Sequence, residues 1–148
     1  MRLAIGNDHA GTSLKFKLWE FLKAKGHVVF NCGTDQEESV DYPLFAKEVC
    51  RLVQTGKVDR GILICGTGNG VAMAANHWQG IRCVLAESCF LAQVGVKELN
   101  ANIIAFGSRV LTVERTQLVL ETYLNTCFDQ QKFLSEKLKK INQLGKKW

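Results

Sequence analysis

The chain has 148 residues, enough for one domain that buries roughly two-thirds of its unfolded surface. It is 47% apolar and 22% charged, which sets aside disordered and collagen-like chains. No apolar run reaches the roughly 18–20 residues that span a bilayer. The net charge of +5 is carried entirely by residues 130–148, so residues 1–129 are neutral and lack the basic body of a nucleic-acid binder.

In chain order, Leu3–Gly6 is the first expected strand, and a polar turn, 7–11, follows it. Leu14, Leu18, Phe21 and Leu22 share one face of a helix expected from Thr12 to Lys25, with Gly26 as its stop. His27–Phe30 is the second strand. The polar loop 31–42 is long enough to suggest function. A helix from Pro43 to Gln54 has proline in its first turn. Gly61–Cys65, apolar on both faces, reads as a central parallel strand. A glycine-rich turn, 66–70, leads into a short helix over 71–75. Strand 81–86, helix 88–99, strand 103–106 and helices 113–126 and 130–144 complete the pattern. Strands alternating with helices predict a single α/β domain over 1–148, a Rossmann-like three-layer fold on a five-stranded parallel sheet, with a basic C-terminal helix at 130–148. Ligands of such sheets bind at the carboxyl ends of strands, so turns 7–12, 31–42 and 65–70 are expected to build the site.

Six cysteines stand at 32, 50, 65, 83, 89 and 127, without a C-x-x-C pair or a histidine at zinc-finger spacing. The N-terminus turns polar too early for a secretory signal. Free thiols in a reducing cytoplasm are therefore expected. Cys50, Cys83 and Cys127 read as small core residues. Cys65 differs, because it ends the central strand where Gly66-Thr67-Gly68-Asn69-Gly70 begins. Glycines there let backbone N–H groups turn inward as an anion nest at a helix N-terminus. A Walker loop needs Gly-Lys-Ser/Thr and a cysteine phosphatase needs a following arginine, and Val71 stands where either would continue. A dinucleotide loop lacks its last glycine, although Glu87 sits where a ribose-binding acid would. A thiol beside a helix N-terminus is partly thiolate. As a base next to an anion hole it suits proton abstraction α to a carbonyl. No metal constellation is present, and Trp19, Trp78 and Trp148 suggest no stacking arrangement.

Gly6-Asn7-Asp8-His9-Ala10-Gly11, Cys32-Gly33-Thr34, Asp41-Tyr42-Pro43, Gly61–Gly70, Ala75-Asn76, Gly80-Ile81-Arg82 and Asn100–Arg109, in this order and spacing, give the chain a further meaning. From residue 1 to about 127 it resembles the type B ribose-5-phosphate isomerases and the galactose-6-phosphate isomerase subunits. The resemblance implies a cofactor-free aldose–ketose isomerisation of a sugar phosphate through an enediol. It also implies a dimer or tetramer with sites between subunits. Residue by residue, Cys65 matches the base, and Gly66, Gly68, Asn69 and Gly70 belong to the anion hole. Thr67 is a substrate or proton contact, Asp8 and His9 contact sugar and phosphate, and Tyr42 lines the pocket. Arg109 matches a phosphate ligand supplied by the partner subunit.

Four departures stand out. Glu98-Leu99-Asn100 occupies the place of a His-Asn-Asp run whose histidine helps open the furanose ring. Glu98 is then the candidate replacement acid and Asn100 a substrate contact. That run looks like the second galactose-6-phosphate isomerase subunit, which works with a different partner chain. Asn69 replaces an apolar residue. Lys132 is the nearest match to the first C-terminal phosphate arginine, and Glu136-Lys137 straddles the second. Ribose 5-phosphate is the expected substrate, with galactose 6-phosphate, allose 6-phosphate, a non-catalytic sugar-phosphate-binding subunit and dinucleotide binding as alternatives.

Overall fold

The computed structural model describes residues 1–144. Along them run β1 (Arg2–Asn7), a 3-10 turn (His9–Gly11), α1 (Thr12–Ala24), β2 (Val28–Asn31), α2 (Tyr42–Gln54) and β3 (Arg60–Cys65). Then follow α3 (Asn69–Asn76), β4 (Cys83–Leu85), α4 (Cys89–Lys97), β5 (Ile103–Gly107), α5 (Val113–Asn125) and α6 (Lys132–Gln143). Every strand pair is parallel, in the order β2-β1-β3-β5-β4. The expected five-stranded parallel sheet is therefore present.

Alternation along each strand divides the core in two. Leu3, Ile5, Ile62, Ile64, Ile104 and Phe106 point to the layer of α1, α4 and α5. Ala4, Leu63, Cys65, Ile103 and Ala105 point to α2 and α3. Both faces of β3 are covered, which is why its sequence is apolar at successive positions. None of the described helices is long and apolar enough to cross a membrane.

Several boundaries differ from the sequence expectation for local reasons. His27 closes α1 instead of opening β2: its N–H donates to the Leu22 carbonyl at 3.1 Å, after Gly26 at φ +81°. β4 is shorter than 81–86, because the Ile81 N–H turns back to the Trp78 carbonyl and the Arg82 N–H goes to the Asn102 side chain. α3 starts at Asn69, two residues before the expected 71. Cys127 is exposed just beyond α5, so it is not a core residue as Cys50 and Cys83 are. Trp19 does stack, on Phe16, with ring centroids 6.4 Å apart on the outer face of α1.

The expected basic helix at 130–148 forms over Lys132–Gln143, with Leu134 and Leu138 buried one turn apart. Lys146, Lys147 and Trp148 lie outside the described residues.

Strand order reverses direction between β1 and β3, the switch point at which open parallel sheets bind ligands. The residues just after these two strands, Asp8-His9 and Gly66–Gly70, are therefore neighbours at the carboxyl end of the sheet. The amino end holds Gly80–Arg82 and Glu98–Asn102. α6 is at that end too. The Asp129 N–H bonds the Lys97 carbonyl at 2.8 Å. Ile141 and Leu144 help line a groove of about 950 Å³ with Gly80, Arg82 and Leu99.

Candidate active site

Cys65 is the last residue of β3 and is buried. Its Sγ accepts the N–H of Gly68 at 3.1 Å. Gly68 caps α3 in the left-handed region, at φ +82°. A Cβ there would lie 2.5 Å from the Leu85 side chain and 2.9 Å from the Phe106 backbone, so both conformation and space require glycine.

The loop's N–H groups divide into two sets. That of Gly68 serves the sulfur, and that of Asn69 goes to the Thr67 hydroxyl oxygen at 3.3 Å. The Asn69 side-chain amide reaches the same oxygen at 3.5 Å, leaving the Thr67 proton free to donate. In the first turn of α3, the Gly70 and Val71 N–H groups meet no acceptor among the described residues. With the Gly66 and Thr67 N–H groups, which likewise meet none there, they are the donors left for an external oxyanion. Position 71 is thus a contributor that its valine side chain conceals in the sequence.

Two side chains flank this loop. The Tyr42 ring covers Gly70, whose Cβ position is 2.9 Å from Tyr42 Cζ and 3.2 Å from Oη. The Arg109 guanidinium covers Gly66, whose Cβ position is 3.2 Å from Nη1, and the Arg109 N–H donates to the Gly66 carbonyl at 3.0 Å. The resemblance implies that Arg109 comes from a partner subunit. The structure holds it against the loop of its own chain.

Asp8 and His9 join from β1. The Asp8 N–H bonds the Ile64 carbonyl at 3.1 Å, and its buried carboxylate caps the 3-10 turn through the Ala10 N–H at 3.0 Å. His9 Nδ1 accepts the Val40 N–H at 3.4 Å, which leaves the neutral ring's proton on Nε2. Ser108 ties the third strand end in, donating from its hydroxyl to the Ala10 carbonyl at 2.7 Å and from its N–H to the Cys65 carbonyl at 2.8 Å.

The remaining candidates lie at the other end of the sheet. Glu98 closes α4. Asn100, at φ +49°, occupies the left-handed position of that helix end, and this already accounts for an asparagine there. Lys132 and Lys137 lie on α6, where the Lys137 ammonium is 5.6 Å from the Phe133 ring centre. None of these four residues shares an end of the sheet with Cys65 of the same chain. Several motif residues are absorbed by the fold in this region. Both polar atoms of the Asn76 amide bind the Cys83 backbone, and Asn102 bridges Arg82 and Gly80.

Burial raises the thiols of Cys32, to about 11, and of Cys50, to about 12, and raises that of Cys83 further still. Only Cys65 combines a sulfur at a helix N-terminus with free backbone donors one turn away and a guanidinium beside the same loop. That set can take a proton from carbon, stabilise the resulting oxyanion and hold a phosphate. Asn7, Lys15, Val40 and Ser108 support it. In the sequence Asn7 and Ser108 stand within the motifs of the resemblance without a role and Lys15 and Val40 outside them, although a lysine on the apolar stripe of α1 is a visible signal.

Comparison with known proteins gives a consistent result. A profile of the ribose/galactose isomerase family matches residues 3–142. Ribose-5-phosphate isomerase B of Escherichia coli is 38% identical over 128 residues, 86% of each chain. The galactose-6-phosphate isomerase subunit LacB of Clostridium acetobutylicum is 35% identical over 144 residues, 97% of this chain and 83% of that one. The solved structure of Clostridium thermocellum ribose-5-phosphate isomerase B superposes with a TM-score of 0.94 at 38% identity, covering 96% of this chain and 95% of that one.

Proposed function

The chain belongs to the ribose/galactose isomerase family of sugar-phosphate aldose–ketose isomerases, and from that premise we propose that it interconverts ribose 5-phosphate and ribulose 5-phosphate. Cys65, as thiolate, takes the proton from C2 of the open-chain aldose. The electron pair of that bond forms the C1–C2 double bond, and negative charge moves onto the C1 oxygen. The Gly70 and Val71 N–H groups and the Thr67 hydroxyl stabilise that oxygen. A proton moves from the C2 hydroxyl to the C1 oxygen, the C2 carbonyl forms, and the Cys65 thiol returns its proton to C1. Arg109 and His9 hold the phosphate, while Asp8 and Tyr42 orient the sugar. The scheme calls on no cofactor.

The observation that carries this reading is the Cys65 Sγ held by the Gly68 N–H at the start of α3. We assign Glu98, Asn100, Lys132 and Lys137 to the site of a neighbouring copy in a homodimer or tetramer, since they occupy the amino end of the sheet. There Glu98 assists ring opening and the lysines meet phosphate as point charges. The protein would then work in the cytoplasm on pentose phosphates.

A second reading draws on one specific feature. Glu98-Leu99-Asn100 lacks a histidine, and a relative named as a galactose-6-phosphate isomerase subunit aligns over 97% of this chain. In that reading a different chain completes the site, and galactose 6-phosphate is the substrate. Assays of the purified single chain on both sugars, each with a Cys65→Ala control, separate the two. Turnover of ribose 5-phosphate that the control loses supports the first. Turnover of galactose 6-phosphate only after a second chain is added supports the other.

A further inference from the structure

The isomerisation scheme leaves one interior charge unused. Lys15 shares the α1 stripe with Leu18 and Leu22, and its side chain has no solvent exposure. Its ammonium donates to the Thr34 carbonyl at 2.6 Å, to the Asn31 amide oxygen at 3.3 Å and to the Asp35 carboxylate. All three acceptors lie in one stretch at and just after the end of β2. The Asn7 amide donates to the same Thr34 carbonyl at 3.1 Å, and the Thr12 hydroxyl to the Gln36 carbonyl at 2.8 Å. The Asp35 carboxylate is 60% exposed, and the Lys15 hydrogen bond holds it below the usual carboxylate range. A buried ammonium stripped of its partners is costly, so residues 31–36 are pinned to α1.

The same loop continues to two site residues. Val40 donates its N–H to Nδ1 of His9 at 3.4 Å. Asp41 then leads into Tyr42, whose ring covers Gly70. The route from Lys15 to the site is therefore a short run of backbone fixed at both ends.

We propose that Lys15 and Asp35 are a positioning pair for the substrate site: by pinning residues 31–36 they hold Val40 against His9 and Tyr42 against Gly70, so that His9 presents its Nε2 proton to the bound sugar phosphate. Neither residue touches the reacting atoms. The kinetic part of the inference rests on the isomerase reading, and the part concerning His9 does not.

The test uses Asp35→Ala, which removes an exposed carboxylate, and Lys15→Met, which fills the interior without charge. Two quantities are read: the His9 tautomer, from ring-nitrogen NMR of the free protein, and kcat and KM for ribose 5-phosphate. The wild type is expected to show the Nε2-protonated form alone, and folded Asp35→Ala a mixture of tautomers. KM should rise about tenfold with kcat within about twofold, and Lys15→Arg should recover part of the loss of Lys15→Met. If Lys15→Met does not fold, Asp35→Ala decides alone. An unchanged tautomer and KM in folded Asp35→Ala overturns the proposal. So does a parallel fall of kcat and kcat/KM with His9 unaltered. A wild type inactive on ribose 5-phosphate refutes the isomerase reading instead, and the tautomer measurement still decides whether the pair positions His9.

Discussion

At the carboxyl end of the sheet, Cys65, the 66–70 loop, Tyr42, Arg109 and the Asp8-His9 turn come from separate segments and close on one another. At the amino end, Asn76, Gly80–Arg82 and Asn102 are knitted together as tightly, but the Asn76 and Asn102 amides are occupied by the backbone of β4 and the turn before it. The first end leaves donors open: the Gly70 and Val71 N–H groups, the Thr67 hydroxyl and the Arg109 fork. The second leaves open the Asn100 side chain and the charges of Glu98 and α6, beside a groove. The residues that carry the resemblance thus have two physical meanings. At one edge they hold chemistry, and at the other they start strands in register and offer charge to something outside the chain.

The sharpest way to break this comparison is Cys65→Ala. Loss of a positioned base should lower kcat by about 10³-fold or more, with the fold and sugar-phosphate binding retained. Steady-state kinetics and calorimetric titration check it. Next in size is Arg109→Met, which removes the guanidinium beside Gly66. A loss of about 10²-fold in kcat/KM is expected, falling mainly on KM, with Arg109→Lys recovering only part because an ammonium lacks the fork. If KM stays fixed, phosphate is held elsewhere.

Gly68→Ala tests the loop's geometry. An alanine at φ +82° against Leu85 and Phe106 should cost about 2–4 kcal/mol in denaturant unfolding, and it should displace the N–H that serves Cys65. A smaller change confronts the amino end. Glu98→Gln should be folded and slow, and refolding it together with Cys65→Ala should restore about a quarter of wild-type activity, because half the pairs are mixed and each mixed pair holds one intact site. No recovery above the two variants refolded separately would return Glu98 to its own chain. The smallest effect is a difference among thiols. Raised thiols stay protonated near pH 7.5, so alkylation there should spare Cys32, Cys50 and Cys83 and label the exposed Cys127 without loss of activity. Only modification of Cys65, slowed by bound substrate, should inactivate; peptide mass mapping reads the pattern.

The strands and helices were legible because β3 is apolar at successive positions and α1 carries a helical stripe. The site around Cys65 was legible because glycines follow a central strand. The separation of Glu98 and Asn100 from Cys65 was also implicit: in a parallel sheet, residues before a strand and residues after one lie at opposite ends, and these precede β5. The place of α6 was not legible, since it depends on the Asp129–Lys97 contact and on the groove it lines with residues 76–84, neither of which leaves a local pattern. Cys127 misled because Tyr123, Leu124 and Phe128 lie close to it in the sequence, while the chain after α5 runs along the surface. Lys15 was visible as a charge on an apolar stripe, but its partners follow β2 and are joined to it only by the fold.

The central claim is that the Cys65 sulfur moves the proton between C2 and C1. The most direct measurement follows deuterium from heavy water into the sugar phosphate, comparing wild type with folded, substrate-binding Cys65→Ala. With the thiol proton exchanging with heavy water between the two transfers, the account predicts deuterium at C1 of ribulose 5-phosphate with the wild type and none above background with the variant. Incorporation by the variant at the wild-type rate would contradict it.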